Sequence, residues 1–329
     1  MYITAATLDD LMHGVLDRLL KSQNRVKPTR GEATELTGVL LKLRNPRARL
    51  SRTEKKGTIF SCLGELLWYL AKTNDLKFIE YYLAEYGKYS DDGRTIFGGY
   101  GPRLFNMRRT NQVKNVLSLL SRNGASRRAV IQLFDAGDLT KDRKDIPCTC
   151  ALQFLIRQGR LHMFSTMRSN DAFVGLPHDI FAFTMIQEIF ARALTVEVGT
   201  YKHAVGSLHL YAKNIAGAKQ YLDEGWQSTT EMPPMPFGNP WGKLSTVLGA
   251  EALLRGGGCV DIRELALEPY WADLVRLLQI YRFSKLGDAA GIVRIKRRMS
   301  SSVYNTYIDR RQRRAARETN PQRSLFPNT

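Results

Sequence analysis

The sequence predicts an α/β (α+β) fold with long buried helices and antiparallel strands. Some stretches repeat apolar residues at helical spacing, and others alternate apolar with polar as strands do. Hydrophobic residues fill 43% of 329 positions, enough for a sizeable core. No run of 18 or more apolar residues occurs, so no membrane span is expected.

Over residues 7–21, Leu8, Leu11, Met12, Val15, Leu16, Leu19 and Leu20 form a helical stripe. Residues 22–32 are polar and basic and read as a loop, and residues 36–43 read as a strand. Residues 60–71 are strongly apolar with one acid, Glu65, and read as a helix. Residues 111–121 repeat at helical spacing until Gly124-Ala125-Ser126, and residues 128–134 alternate as a strand. Residues 151–156 and 161–167 flank Arg157-Gln158-Gly159-Arg160, which reads as a hairpin. Residues 179–194 read as a buried helix, 207–211 as a strand and 270–282 as a further helix. Gly256-Gly257-Gly258 reads as a loop and not a phosphate cradle, because no Lys-Ser/Thr follows it.

Net charge is +18, and residues 294–329 hold ten Lys/Arg against two acids. Such a tail binds acidic surfaces or stays solvated. No aromatic-interleaved motif accompanies it, so no nucleic-acid partner is expected. The remaining positive charge suits anionic ligands. The segment Met1-Tyr2-Ile3-Thr4-Ala5 does not read as a signal peptide, so a cytoplasmic location is expected. The four cysteines suggest no disulfide framework. Cys148-Thr149-Cys150 lacks a second pair or a histidine cluster, so no metal is expected.

Residues 145–214 concentrate the chemistry. Cys148 follows Pro147, and Arg168-Ser169-Asn170-Asp171 comes next. Gly175-Leu176-Pro177-His178-Asp179 and His203-Ala204-Val205-Gly206-Ser207-Leu208-His209-Leu210-Tyr211 complete the set. Each has a bland reading. Pro-Cys is commonly structural, Asp171 suits a turn, and Asp179 suits a helix cap. His209 and Tyr211 suit a half-buried strand face. Glu65 is different, since burying its charge unpaired is costly.

Taken in order, these stretches resemble the thymidylate synthase family. That family carries a Pro-Cys nucleophile, Arg-Ser-x-Asp, Gly-x-Pro-Phe-Asn and His-x-x-Gly-Asp-x-His-x-Tyr. Upstream, Gly64-Glu65-Leu66-Leu67-Trp68-Tyr69-Leu70 looks like its Glu-Leu-Leu-Trp helix. Gly98-Gly99-Tyr100-Gly101 looks like its Tyr-Gly loop, and Ser126-Arg127-Arg128 like its paired arginines. The resemblance covers roughly residues 8–225.

It implies a thymidylate synthase-like catalytic domain over residues 1–260, then a helical, basic extension over 261–329, in an obligate homodimer. It implies that Cys148 is the nucleophile, and that Arg168 and Ser169 hold a nucleotide phosphate with help from Arg30 on a flexible loop. Arg127 and Arg128 would reach the phosphate in the partner subunit, where planar guanidinium suits bidentate contact. His209 and Tyr211 would bond the sugar hydroxyl. Glu65 would order water and relay protons, Tyr100 would assist proton removal from carbon 5, and Asp171 would contact the pterin of 5,10-methylenetetrahydrofolate. Carbon 5 of a pyrimidine becomes nucleophilic once a thiolate adds to carbon 6. That step needs an accessible cysteine of lowered pKa, which Arg168 would stabilise.

Departures from the family pattern refine the expectation. Asp179 stands where methylases of uracil nucleotides have Asn, as it does in family members acting on cytosine nucleotides. A carboxylate only accepts unless protonated, which matches cytosine's amino group. An unmatched edge costs about 1–3 kcal/mol. Thr149, Met167 and Ser207 replace the family's histidine, glutamine and aspartate. The family's short apolar terminal lid is replaced by Arg323-Ser324-Leu325-Phe326-Pro327-Asn328-Thr329, which would admit water to the exocyclic methylene. The expectation is folate-dependent 5-hydroxymethylation of CMP or dCMP. A C5-methylase and a non-catalytic, nucleic-acid-binding relative stay open as alternatives.

Overall fold

The computed structural model describes residues 1–28 and 30–319. Contacts divide the chain into two compact units, Met1–Met232 and a second beginning at Pro233. The division lies nearer the N-terminus than residue 260.

The first unit is the mixed α/β fold that the sequence predicts. It opens with β1 (Tyr2–Ala5) and α1 (Leu8–Lys21). Thr7 caps α1 by accepting the Asp10 amide at 3.0 Å, and its apolar stripe is buried. Then follow β2 (Arg25–Val26), β3 (Ala33–Leu43), α2 (Ile59–Leu70), α3 (Leu76–Tyr82), α4 (Tyr100–Asn106) and α5 (Gln112–Arg122). The remaining elements are β4 (Val130–Gln132), β5 (Thr149–Arg157), β6 (Arg160–Asp171), α6 (Gly175–Ala193), β7 (Glu197–Tyr211) and α7 (Ile215–Asp223).

The sheet runs β1-β3-β7-β6-β5-β4, with β2 beside β3. The pairs β1–β3 and β6–β7 are parallel, and the others are antiparallel. Gln158 and Gly159 both have positive φ, the primed turn whose twist suits a two-residue hairpin between β5 and β6. The parallel β6–β7 pair is joined through α6, as parallel strands require a crossover. All but three residues of the 19-residue α6 are buried, so it is the central helix of this unit. Glu188 lies buried within it and pairs with Arg47 and Arg49.

Several elements differ from expectation. β2 lies within the expected loop, and β4 covers only three residues. β7 is 15 residues long, paired with β3 on one side and β6 on the other; its buried positions include Tyr201 and His203, while Ala204 is half-buried and Gly206 exposed. Polar residues at buried positions and small residues at more exposed ones hide the alternation. Tyr100 opens a helix where a loop was expected. Gly101 permits this, since a Cβ there would lie 2.3 Å from the Thr73 carbonyl oxygen. Finally, α6 begins at Gly175, so Asp179 sits inside it and does not cap it.

The second unit is helical: α8 (Trp241–Arg255), α9 (Pro269–Lys285), α10 (Ala289–Lys296) and α11 (Asn305–Thr319). Buried Asp273 accepts the amides of Ser300 and Ser301 and pairs with Arg276, tying α9 to the turn before α11. The terminal segment containing Arg323 and Phe326 lies outside the described residues. Among the described residues, no helix is long and apolar enough to cross a membrane.

Candidate active site

Cys148 sits just before β5, half-buried, with its Sγ 3.8 Å from an Arg168 Nη2. Arg168 lies on β6, which pairs with β5, so the ladder brings the two together. Its guanidinium also donates to the carbonyls of Pro147 (3.0 Å) and Ile146 (2.8 Å), which fixes the backbone around the thiol. The expected lowering of the thiol pKa is absent. Burial pushes it up to about 11; Arg168 and Arg30 pull it down, while Asp145 and Asp179 push it up.

Tyr100 approaches from α4. Its hydroxyl lies 2.8 Å from Thr149 Oγ1 and accepts the Thr149 amide at 3.2 Å. Burial, Asp179 and Cys148 raise its pKa well above the usual phenol value, so the phenol stays protonated. Its ring stacks on Phe183 of α6 and tilts against Tyr69 of α2. Glu65 is buried on α2 and accepts hydrogen bonds from Tyr69 (2.9 Å) and Tyr86 (2.6 Å). These two donors explain how an acidic side chain is accommodated in an otherwise apolar helix.

Asp179 projects from the second turn of α6. Its Oδ2 accepts from Asn170 Nδ2 at 2.7 Å. Burial and Glu65 push its carboxyl up to about 7, against the pull of that bond. Asp171, at the end of β6, accepts the amides of Phe173 and Val174 on one oxygen, so it does make a turn. Lys56 lies 3.7 Å from the centroid of the Phe173 ring, and burial lowers its pKa to about 8.

His209 and Tyr211 share one face of β7, with ring centroids 4.8 Å apart. Burial lowers the His209 pKa, so the imidazole is held neutral. Ser169 pairs in register with Ser207 of β7, and Ser207 donates to Glu35 on β3. Arg30 lies 4.2 Å from the centroid of the Tyr89 ring, and 3.8 Å from Asp145. Arg127 and Arg128 are both exposed on the approach to β4, and neither forms an ion pair among the described residues.

Several residues at the site carried no role from sequence. Asn170 and His203 lay within the quoted motifs. His203 Nε2 is 3.1 Å from Asn170 Oδ1. His178 replaces the motif's phenylalanine, one position before Asp179. Its Nδ1 meets the Val174 carbonyl at 3.0 Å and its Nε2 meets Ser61 Oγ at 3.0 Å. Burial opposes its charge, yet Cys62, Glu65 and the Val174 carbonyl raise its pKa to about 9. Asp145 lies beside the thiol and packs against Gly98, where a Cβ would come within 2.3 Å of its carboxylate. Only His178 carried a signal, its departure from the phenylalanine of the motif. Among the described residues, no cluster of metal-ligating side chains occurs.

The family model for thymidylate synthase matches residues 7–238. A deoxyuridylate hydroxymethyltransferase of Pseudomonas phage M6 is 34% identical over 161 residues, covering 48% of this chain and 46% of that protein. A protein of the same name from Bacillus phage SP01 is 29% identical over 219 residues, covering 62% of this chain and 57% of that one. A thymidylate synthase of Buchnera aphidicola is 26% identical over 215 residues, covering 63% of this chain and 81% of that enzyme. The chain thus spans about half the length of the phage relatives. The crystal structure of thymidylate synthase from T4 phage superposes with a TM-score of 0.60 at 18% identity, over 72% of this chain and 91% of that one. Motif order, site geometry and a match across most of the first unit agree: the chain belongs to the thymidylate synthase family.

Proposed function

We propose that this protein is a folate-dependent hydroxymethylase of a pyrimidine nucleoside monophosphate, with CMP or dCMP as substrate. The observation that carries the base assignment is Asp179, an acid with its carboxyl near 7 and one oxygen held by Asn170. Ionised, it accepts from a 4-amino group; protonated, it donates to N3. Cytosine can share that proton. A second reading, deoxyuridylate, is favoured by the names of the phage relatives. A neutral acid presents one donor and one acceptor, as the amide of a uracil reader does.

The folate site is supported by Asp171, which keeps its second oxygen for the donor-rich edge of a pterin, and by Lys56, which adds a cation beside it for an anionic cosubstrate. When bound, 5,10-methylenetetrahydrofolate supplies the one-carbon unit. Cys148 adds to carbon 6 of the pyrimidine as thiolate, with Arg168 offsetting its charge. Tyr100 and Glu65 help move the proton from carbon 5. Glu65, with one oxygen held by two phenols and the other left for solvent, orders the water that adds to the exocyclic methylene. Cys148 then departs from carbon 6. Arg168, Ser169 and Arg30 hold the phosphate, with Arg127 and Arg128 given across a homodimer, and His209 and Tyr211 hold the sugar.

In this reading the first unit carries the chemistry, the helical, basic part is an extension without an assigned role, and the protein works in the cytoplasm. The test is tritium release from carbon 5 of CMP, dCMP, UMP and dUMP, repeated with Cys148→Ala and Asp179→Asn. Release confined to the uracil nucleotides with the unaltered protein overturns the cytosine assignment. Release by Cys148→Ala overturns the nucleophile. Dihydrofolate in place of tetrahydrofolate as product would mark a methylase.

A further inference from the structure

Behind Asp179 lies a row of buried polar groups of which the chemistry above uses only Asn170. Ser165, Tyr201 and His203 are 0%, 1% and 0% exposed, and Asn170 is 4% exposed. His203 Nδ1 is 2.7 Å from the Tyr201 hydroxyl and 2.9 Å from Ser165 Oγ. The two hydroxyls are 2.7 Å apart, and Ser165 Oγ also reaches the Lys202 carbonyl at 3.4 Å. On the other side of the ring, Nε2 meets Asn170 Oδ1, and Asn170 Nδ2 meets Asp179 Oδ2. The row is continuous from the core to the site.

We infer that His203, set by Tyr201 and Ser165, is a positioning residue for base recognition: it orients the Asn170 amide so that Asp179 reads the pyrimidine with Oδ1 alone. This rests on the Asp179 reading above. Burial lowers the His203 pKa to about 3, so the ring is neutral and carries one N–H. Nδ1 faces two hydroxyls that can donate, whereas Nε2 faces Asn170 Oδ1, an amide oxygen that can only accept. The proton therefore sits on Nε2 and donates to Asn170 Oδ1. That turns the amide N–H toward Asp179 Oδ2, which is fixed as an acceptor. Any proton on Asp179 then resides on Oδ1. Without the row the amide flips freely, and Asp179 loses its fixed donor–acceptor pattern. Rigid support of this kind is what selective polar recognition requires.

Two measurements on the intact chain test this. The first is kcat/KM for cytosine and uracil nucleotides in the unaltered protein, in Asp179→Asn, in His203→Gln and in a Tyr201→Phe/Ser165→Ala double variant. The double variant should lower the cytosine-to-uracil ratio about tenfold, the worth of one misplaced buried hydrogen bond. His203→Gln should largely keep the ratio, since its amide can accept from Tyr201 and donate to Asn170. Equal losses on both bases in the double variant would mean a merely structural row and overturn the inference. A ratio unmoved by Asp179→Asn defeats the base reading itself. A ratio moved by Asp179→Asn but not by the double variant defeats only the row. The second measurement needs no activity: nitrogen-15 spectra of the histidines should show His203 neutral with its proton on Nε2. A proton on Nδ1 overturns the inference.

Discussion

Replacing Asp179 with Asn should remove a pH-dependent loss of stability. The carboxyl is moved from 3.8 to about 7, chiefly by burial and then by Glu65. At 1.36 kcal/mol per pH unit, the charged form carries a penalty of up to about 4 kcal/mol. The side chain is partly exposed, so about 2 kcal/mol is the working figure. The sign follows from where the proton is held. Below 3.8 the folded and unfolded chains both carry it, and Asp179 adds no pH dependence. Between 3.8 and about 7 the unfolded chain releases it while the folded chain keeps it, so stability falls as pH rises. Above about 7 both are ionised and the loss is complete. Asn cannot ionise and escapes the loss. His178, raised to about 9, gives stability that is present below 6.5 and fades as pH rises through 9. Both proteins keep it, so it largely cancels in the difference. The assay is urea unfolding of each protein at a series of pH values from about 4 to about 8. The unaltered protein should lose about 2 kcal/mol relative to Asp179→Asn across that range. Parallel profiles, or a gain by the unaltered protein, would refute an acid held protonated in the fold.

Three further outcomes are expected. With a thiol near 11 instead of 9.0, Cys148 should react with iodoacetamide about a hundredfold more slowly than a free cysteine at neutral pH, and mass spectrometry of its peptide should show the rate climbing past pH 10. Saturation near pH 8 contradicts this. Gly64→Ala would drive a Cβ to 2.2 Å from the Tyr82 ring, so calorimetry should show about 1–3 kcal/mol of destabilisation; an unchanged Tm speaks against that packing. Glu188→Gln leaves Arg47 and Arg49 without their buried anion and should cost about 3–5 kcal/mol in urea unfolding, whereas a loss under about 1 kcal/mol would show that water reaches them.

The sequence by itself determined the features that local chemistry writes. The stripe of α1, the hairpin around Gln158-Gly159 and the helix around Glu65 are set by spacing within one element, and they appear where spacing puts them. The motif order likewise identified the family, because covalent neighbours such as Pro147-Cys148 stay neighbours in any fold. Tertiary structure alone decided what lies far apart in the chain. Asp179 became a side chain facing Asn170 because α6 starts at Gly175. The partners of Glu65 come from two places, one a turn away and one beyond α3. The row through His203 exists because the parallel register of β6 and β7 sets Ser165 beside it. The Cys148 thiol was raised where the chemistry implied by the resemblance, with Arg168 beside it, called for lowering, since burial is a property of the packed whole and outweighs one adjacent guanidinium. Periodicity reports which face of an element turns inward; only packing reports what it meets there, and desolvation and hydrogen bonding act on that meeting.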